Sequence, residues 1–417
     1  WTATATASKM SNGGAKTEAL LRVAEIGGRG RSLVAAQSLR GGEVILRESP
    51  LLLYSAFPFL SSASPYCDHC FRLLSQSAQK CQSCSLVSYC SSNCFASHTP
   101  WLCESLRRIH QSYSAAFADQ PSERQVQARF LLSAYNLAAA SPSDFQILLS
   151  LQGNGGDGDS TCDSAAAKFL HSLLSAVCPP LPVPISPELT AALLVKDKVN
   201  GFGLMEPFSD SNEKRCVRAY GIYPKTSFFN HDCLPNACRF DYVDSASDGN
   251  TDIVIRMIHD VPQGREVCLS YFPVNMNYSS RQKRLAEEYG FKCDCDRCKV
   301  ESSWSEGEED ENDVMEEMGD EEMEENEEVG VEEACGNGVD DDDASFPHAY
   351  FFVRYMCDKE NCFGTLAPIP PKTHDGASKV LECNVCGSLK EDETCSDLTT
   401  SLKMKAAEKR DVSGPYL

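Results

Sequence analysis

The stretch Phe-Asn-His-Asp-Cys-Leu-Pro-Asn, residues 229–236, carries the strongest signal in this 417-residue chain. Asn230 and His231 lie between an apolar stretch and a turn in which Pro235 restricts the backbone. In that position the backbone and both side chains would present hydrogen-bond donors to a ligand. Short strands and turns follow one another through residues 200–271, so we predict a ligand site within a β-rich segment.

Three further stretches have compositions that suit a binding site. Residues 27–31 read Gly-Gly-Arg-Gly-Arg between predicted strands at 18–26 and 43–53. Glycines in such a turn permit positive φ or the close approach of a ligand, although a plain hairpin turn would be the default explanation if this stretch stood alone. Residues 264–271 read Gly-Arg-Glu-Val-Cys-Leu-Ser-Tyr. Residues 281–298 begin with Arg-Gln and end in the spacing Cys-x-Cys-x2-Cys.

A dense group of cysteines lies between residues 67 and 103. Its potential ligands are Cys67, Cys70, Cys81, Cys84, Cys90, Cys94, His98 and Cys103. Eight ligands make two tetrahedral sets, and Cys-x2-Cys pairs let two thiolates of one turn reach the same zinc ion. Free buried thiols are the alternative. Cysteine pairs at this spacing in an intracellular chain favour metal binding over disulfides.

Taken in chain order, these stretches resemble the SET-and-MYND (SMYD-like) protein-lysine methyltransferases, with a SET domain of the plant type. Residues 229–236 are similar to the family signature Asn-His-Ser-Cys-x-Pro-Asn, and residues 264–271 to Gly-Glu-Glu followed by a tyrosine. Residues 28–35 fit the family's first glycine motif, and residues 281–298 fit its post-SET segment. Residues 67–103 resemble the MYND zinc finger. Four family positions differ, with Arg29 in place of Lys, Ser32 in place of Gly, Asp232 in place of Ser and Arg265 in place of Glu.

The resemblance implies a site for S-adenosylmethionine beside a narrow channel for a substrate lysine. Tyr271 would be the catalytic residue, with Tyr223 and Phe272 lining the channel. The cofactor-binding residues implied are Arg29, Gly30, Arg31, Asn230, His231, Tyr289 and Phe291. The aromatic faces of Tyr289 and Phe291 would flank the adenine.

The resemblance also assigns the metal ligands. It pairs Cys67, Cys70, Cys90 and Cys94 on one zinc ion, and Cys81, Cys84, His98 and Cys103 on another. A third zinc ion would be held by Cys233 with Cys293, Cys295 and Cys298. Independently of the family, the spacing of Cys357, Cys362, Cys383 and Cys386 is compatible with a further zinc ribbon, with free thiols as the alternative.

We predict a mixed α+β fold, in which a β-rich SET domain is split by the finger and by a helical insertion, with a zinc-binding post-SET segment. Apolar residues near a 3.6-residue period predict helices at 125–138 and 165–177, and a third helix is expected at 188–199. A short helix is expected at 281–289. The predicted domains are a tail (1–17), the N-terminal SET part (18–66), the finger (67–103), the helical insertion (104–199), the C-terminal SET part (200–272), the post-SET segment (273–300), an acidic insertion (301–344) and a C-terminal module (345–417).

The net charge of −22 comes from a single acidic segment. Residues 301–343 contain 22 of the 60 Asp and Glu residues and no Lys or Arg, and the 38 remaining acids equal the 38 bases. Such a composition predicts disorder for this stretch. The rest of the chain is near neutral, so we expect no sequence-specific binding of nucleic acid. No apolar run approaches a membrane span and residues 1–16 lack the apolar core of a signal peptide, so we expect no membrane association and a nuclear or cytoplasmic location.

The predicted function is transfer of a methyl group from S-adenosylmethionine to a lysine of a protein substrate, with histones among the candidates. The alternative is a weakly active or inactive adaptor that binds peptides through its finger. MYND fingers typically bind short proline-containing peptides, although a purely structural role for the finger is equally compatible with its sequence. Asn230, His231 and Tyr271 occur together, which favours the enzyme.

Overall fold

The computed structural model describes residues 20–59, 64–153, 161–182, 184–209, 215–246, 248–303, 349–370 and 378–392. The predicted tail (1–17), the acidic stretch from residue 304 onward and part of the predicted loop at 153–160 lie outside these ranges. Glu301, the first acid of that stretch, ends a helix, where it is buried and forms ion pairs with Arg281 (2.5 Å) and Arg297 (2.6 Å). The predicted acidic insertion therefore begins after Glu301.

The strands are short and spread along the described chain. They are β1 (Leu21–Ile26), β2 (Gly30–Ala35), β3 (Val44–Glu48), β4 (Leu52–Ser55), β5 (Gln79–Lys80), β6 (Ser88–Tyr89), β7 (Gly201–Met205), β8 (Val217–Ile222), β9 (Asn230–His231), β10 (Ala237–Asp241), β11 (Ile253–Met257), β12 (Cys268–Leu269), β13 (Leu366–Pro368), β14 (Val380–Cys383) and β15 (Leu389–Glu391). They form small sheets with the strand orders β1-β2, β10-β11-β3, β4-β8-β7, β12-β9, β5-β6 and β13-β14-β15.

The helices lie mainly between the two halves of this β-rich structure. They are α1 (Ser92–Ala96), α2 (Pro100–Arg108), α3 (Ser114–Ala118), α4 (Ser122–Ala140), α5 (Pro142–Ser150), α6 (Thr161–Val177), α7 (Pro187–Asn200), α8 (Tyr278–Tyr289), α9 (Asp296–Glu301) and α10 (Ala349–Tyr355), with a π-helical turn at Ile109–Tyr113 and a 3₁₀ turn at Thr226–Phe228. Within the described ranges, no helix is long and apolar enough to cross a membrane.

The glycine-rich turn predicted at 27–31 joins β1 to β2 in an antiparallel hairpin. Gly28 has φ +79° and Gly30 has φ +70°, a conformation that favours glycine because it has no Cβ. A Cβ at either glycine would meet no atom within 4 Å, so the backbone angle, not crowding, accounts for both residues. The turn consequently leaves open space above its backbone.

The single strand predicted at 43–53 is wrong, because the chain forms two strands there. Residues 44–48 form β3, which pairs with β11, and residues 52–55 form β4, which pairs with β8 in a different sheet. Pro50 lies between them. Proline has no N–H to donate to a ladder, so the chain leaves one sheet and enters another at this point.

The three helices predicted between residues 104 and 199 are confirmed as α4, α6 and α7. The prediction did not include α5, which begins at Pro142 directly after α4. Helix α7 begins with Pro187 in its first turn, where proline's missing N–H costs nothing, and Ser186 Oγ accepts a hydrogen bond from Leu189 N at 3.1 Å. Phe130, Leu170 and Leu193 are buried in one core that also includes finger residues.

Strand β9 pairs in parallel with β12. Asn230 is opposite Cys268, and His231 is opposite Leu269. Asp232 N donates to Leu269 O at 2.9 Å and extends this short ladder by one hydrogen bond. Because β9 lies within residues 229–236 and β12 within residues 264–271, this pairing places residues 229–236 against the chain that leads into Tyr271. The site is built at this crossing.

Candidate active site and metal clusters

A cleft of about 380 Å³ lies where the β1–β2 turn, β9 and the end of α8 meet. Every residue predicted to bind the cofactor lines it, and so does Tyr271. These residues are Arg29, Gly30, Arg31, Asn230, His231, Tyr289 and Phe291. The tertiary structure therefore brings into one cleft three stretches that are far apart in the sequence.

A polar network fixes the floor of the cleft. Arg29 forms an ion pair with Glu266, with Nε and Oε2 at 2.8 Å, and its Nη2 donates to His231 O at 2.8 Å. Asn230 Nδ2 donates to Glu266 Oε1 at 2.9 Å and to Ser32 Oγ at 2.7 Å. Glu266 thus binds both Arg29 of the glycine-rich turn and Asn230 of residues 229–236. The motif at residues 264–271 contains Glu266 but by itself predicts no role for it.

His231 connects the cleft to a cysteine cluster. Its Nδ1 accepts a hydrogen bond from the Tyr271 backbone N–H at 3.1 Å. Its Nε2 lies 3.3 Å from the Cys233 sulfur. Burial lowers the pKa of His231 to about 3, so the ring is neutral at physiological pH. With Nδ1 accepting, the hydrogen-bond partners assign the single ring proton to Nε2, facing the sulfur.

Tyr271 lies with its ring between those of His231 and Tyr289, at centroid distances of 5.2 and 4.8 Å. Its hydroxyl donates to Phe229 O at 3.0 Å. Burial raises the pKa of Tyr271 well above its usual value, so the side chain keeps its proton at neutral pH. The hydroxyl can therefore accept a hydrogen bond through its lone pairs, and it does not act as an ionised base.

The helical insertion also contributes to the cleft. Residues Leu151, Gln152, Val199 and Asn200 line it together with the 3₁₀ turn, through Ser227 and Phe228. Asn200 Nδ2 donates to the backbone carbonyls of Gln152 and Lys196, both at 2.8 Å, which joins the end of α7 to the chain after α5. No motif marked these residues. Their only sequence signal was the predicted end of a helix near residue 199.

The two residues expected to line a lysine channel differ in their surroundings. Phe272 packs against the His231 ring at a centroid distance of 4.7 Å. Tyr223 is fully buried, and its hydroxyl donates to Thr251 O at 2.5 Å. Tyr223 and Phe272 are both absent from the described lining of the cleft, so their place along a lysine channel stays a prediction.

Two of the four departures from the family pattern, Asp232 and Arg265, have simple structural accounts. Asp232 Oδ1 accepts a hydrogen bond from Leu234 N at 2.9 Å, so its short side chain caps the turn that follows β9. Burial raises the pKa of Asp232 to about 7. Arg265 is exposed, and its backbone carbonyl accepts from Ala35 N at 2.9 Å.

Four groups of side chains among the described residues could each hold a metal ion. They are Cys67, Cys70, Cys90 and Cys94; Cys81, Cys84, His98 and Cys103; Cys233, Cys293, Cys295 and Cys298; and Cys357, Cys362, Cys383 and Cys386. Within each group the ligand atoms lie within 4.8 Å of one another, and all these cysteines are free thiols. Sets of four S and N donors at such separations suit tetrahedral zinc. The first three groups have the composition implied by the family resemblance.

The post-SET cluster, Cys233 with Cys293, Cys295 and Cys298, is surrounded by polar groups that fit a negatively charged centre. Arg281 is fully buried, and it donates from Nε to Cys233 Sγ at 3.3 Å and from Nη2 to Cys298 Sγ at 3.7 Å. Gln282 exchanges two hydrogen bonds with the backbone of Cys293. A zinc ion with four thiolates carries net negative charge, so a buried guanidinium beside it offsets part of that charge.

Comparison with known proteins agrees with this geometry. The SET domain family model matches residues 30–272, more than half of the chain. Histone-lysine N-methyltransferase ASHR2 of Arabidopsis thaliana is 83% identical over 398 residues, which cover 92% of this chain and 98% of that protein. Histone-lysine N-methyltransferase SMYD3 of Mus musculus is 26% identical over 283 residues, which cover 66% of this chain and 60% of that protein.

A solved structure, the SET domain of LSMT bound to lysine and AdoHcy, aligns with 66% of this chain and 53% of its own at 14% identity and a TM-score of 0.30. The sequence relationships carry the assignment, because the family model spans both halves of the β-rich structure and the ASHR2 match extends through nearly all of both chains. The chain therefore belongs to the SET-domain family, in its SET-and-MYND type of protein-lysine methyltransferases.

Proposed function

We propose that the protein transfers a methyl group from S-adenosylmethionine to the side-chain amine of a lysine in a protein substrate, with histones as the first substrates to test. The observation that carries the proposal is one cleft lined by Tyr271, Asn230, His231 and the glycine-rich turn. The name of the 83% identical relative, a histone-lysine N-methyltransferase, supports the choice of substrate.

The residues of the cleft suit the cofactor's chemistry. Arg29 and Asn230 are held in place by Glu266, and both present polar groups to the cleft floor. Tyr289 and Phe291 offer aromatic faces, and Phe291 is 38% exposed, so it can receive a planar ring. When bound, S-adenosylmethionine supplies a methyl group activated by a positively charged sulfur.

We assign Tyr271 the task of orienting the substrate amine. The Tyr271 hydroxyl donates its hydrogen to Phe229 O, so the lone pairs of its oxygen can accept an N–H of a neutral lysine amine. That contact directs the nitrogen lone pair toward the methyl group. Holding the reacting atoms in line reduces the barrier without any charge on the tyrosine.

The test is Tyr271→Phe, with Tyr135→Phe as the matched control. Tyr135 is also buried, and its hydroxyl bonds to Thr190 Oγ1 at 2.9 Å inside the helical insertion. We expect Tyr271→Phe to lower kcat on a histone mixture by about 100-fold or more, the size typical for removing one preorganised hydrogen-bonding group, while cofactor affinity stays within about 3-fold. The control should keep its rate. A loss of cofactor affinity as large as the loss of rate would refute the assignment.

We further propose that the finger binds proline-containing peptides. A second cleft of about 520 Å³, lined by Asp68, His69, Phe71 and His98 of the finger and by Leu102, supports a binding role. Calorimetry with proline-rich peptides on the Tyr271→Phe variant separates this role from catalysis, since the adaptor function predicts unchanged affinity. An absence of binding by the intact protein would refute it.

A nuclear location, with or without a cytoplasmic pool, follows from the proposed histone substrate. Fluorescence microscopy of the tagged protein tests it, and exclusion from the nucleus would contradict histone methylation. The proposal includes no sequence-specific binding of nucleic acid, which gel-shift titration against random duplexes can check.

A further inference from the structure

The C-terminal cysteine cluster, formed by Cys357, Cys362, Cys383 and Cys386, has the geometry of a metal site. The sulfurs of Cys357 and Cys386 are 3.7 Å apart, and those of Cys362 and Cys383 are 3.5 Å apart. A tetrahedral zinc ion with Zn–S bonds of about 2.3 Å requires sulfur separations of about 3.8 Å. A disulfide requires about 2.05 Å. The separations fit four thiolates around zinc and exclude two disulfides.

The backbone around the cluster is shaped to bring the sulfurs together. Asn361 has φ +57° and Phe363 has φ +51°, on either side of Cys362. A large aromatic residue rarely adopts the left-handed conformation, so the surrounding structure must hold it there. Gly364 packs so closely that a Cβ would lie 2.3 Å from the Cys383 sulfur. These backbone conformations cost free energy unless a further interaction holds the four sulfurs together.

The C-terminal module, residues 349–370 and 378–392, has little apolar core of its own, because its Phe351, Tyr355 and Ala367 are buried against Phe240 and Val254 of the SET domain. Its strands contain three or four residues each. Its own buried core consists of Leu366, Leu381 and three of the four cysteines. A module of this size rarely folds on apolar burial alone and usually depends on a disulfide or a structural metal.

The module packs on the sheet β10-β11-β3 of the SET domain. Arg256 of β11 is only 2% exposed, its Nη1 donates to Glu382 Oε2 of β14 at 2.8 Å, and its guanidinium lies 3.8 Å from the Phe240 ring centroid. Asn384 Nδ2 donates to Arg239 O of β10 at 2.9 Å. A buried arginine that lost Glu382 would leave an uncompensated charge in the core, so the SET sheet depends on the module.

We propose that Cys357, Cys362, Cys383 and Cys386 bind a structural zinc ion that clamps the C-terminal module onto the SET sheet β10-β11-β3. The ion takes no part in methyl transfer, and the site is separate from the finger and from the post-SET cluster. Its function is to keep Glu382 and Asn384 in place against Arg256 and β10. Strand β10 begins directly after residues 229–236, so the clamp supports the chain that carries Asn230 and His231.

Zinc content and thiol protection test the site in the full-length chain. We expect elemental analysis to find four zinc ions per wild-type chain and three in the double variant Cys383→Ser/Cys386→Ser. The control Cys216→Ser, at an exposed cysteine, should keep four. Peptide-resolved alkylation of the wild-type protein needs no variant. Cys357, Cys362, Cys383 and Cys386 should resist alkylation until a chelator is added, whereas Cys216 should react at once.

Amide hydrogen exchange tests the clamp. In the double variant, residues 237–241 should exchange at least about 10-fold faster than in the wild type, while the finger strands stay unchanged. Glu382→Gln should keep four zinc ions and still accelerate exchange in the same strand, because it breaks the contact and leaves the metal. Three zinc ions in the wild type with rapid alkylation of the four cysteines, or recovery of these cysteines as disulfides, would overturn the metal site. Unchanged exchange in β10 in both variants would overturn the clamp.

Discussion

The finger and the post-SET cluster both gather cysteines around a potential metal site, and they do so over very different sequence distances. All eight finger ligands lie between residues 67 and 103, and local turns bring them together. In the post-SET cluster, Cys233 lies 60 residues before Cys293 and belongs to residues 229–236. All four post-SET ligands are buried, whereas five of the eight finger ligands are partly exposed.

The two clusters also differ in what they touch. The finger packs on the helical insertion, where Cys67, Cys81 and Cys84 share a core with α4 and α6. The post-SET cluster contacts His231, which in turn holds the backbone of Tyr271. A metal at the finger therefore supports a module, while a metal at the post-SET cluster supports the proposed catalytic residue through one intervening side chain. We therefore expect metal sites of similar composition to differ in their consequences for activity.

Removing one ligand from each cluster tests this difference most strongly. We expect Cys233→Ser and Cys94→Ser each to lose one zinc ion by elemental analysis. Methyl transfer should fall by more than about 100-fold in Cys233→Ser, because metal binding and folding of the post-SET segment are coupled. In Cys94→Ser it should fall by less than about 5-fold. Equal losses of activity in two variants with native circular dichroism would contradict the comparison.

Replacing His231 in two ways tests the connection itself. Asparagine can put an oxygen where Nδ1 accepts from Tyr271, while glutamine can reach only the position of Nε2. We expect His231→Gln to lower kcat by about 10-fold to 100-fold, as expected when a buried N–H loses its partner. His231→Asn should lose about 5-fold.

Both His231 variants should retain the zinc content of the wild type and change KM by less than about 3-fold. A merely structural role for His231 would instead lower stability in both variants alike, without a preferential loss of kcat in the glutamine variant. Steady-state kinetics with metal analysis on the same samples distinguishes the two outcomes.

Replacing the buried Arg281 is expected to have a smaller effect, confined to the post-SET cluster. Arg281→Met removes the charge that faces Cys233 and Cys298, while Glu301, its ion-pair partner, keeps Arg297. We expect zinc release from the post-SET cluster to a chelator to become about 10-fold faster, with release from the finger unchanged. Arg284→Met is the control, since Arg284 lies on the same helix, 37% exposed and paired with Glu288. Equal rates in both variants would show that Arg281 does not stabilise the metal site.

Local features of this fold could be predicted because short-range physics sets them. The β1–β2 turn needs residues that accept positive φ, and Gly28 and Gly30 supply them. Helices α4, α6 and α7 follow from apolar periodicity. Helix α5 was missed because it begins at Pro142, directly after the end of α4, where the apolar periodicity no longer continues. The strand break at Pro50 was missed because apolar residues occur both before it, at 44–46, and after it, at 51–53.

By itself, the sequence determined the family motifs, the candidate ligands and the identity of Tyr271 as the residue to test, since these depend on residue type and spacing. Only the tertiary structure decided that Asn200 and Gln152 of the helical insertion line the same cleft, that Glu266 holds Arg29 to Asn230, and that Glu382 pairs with Arg256. Each of these contacts joins residues far apart in the chain, and a single long-range contact leaves no periodicity or spacing in the sequence. Packing of the whole chain is what creates it.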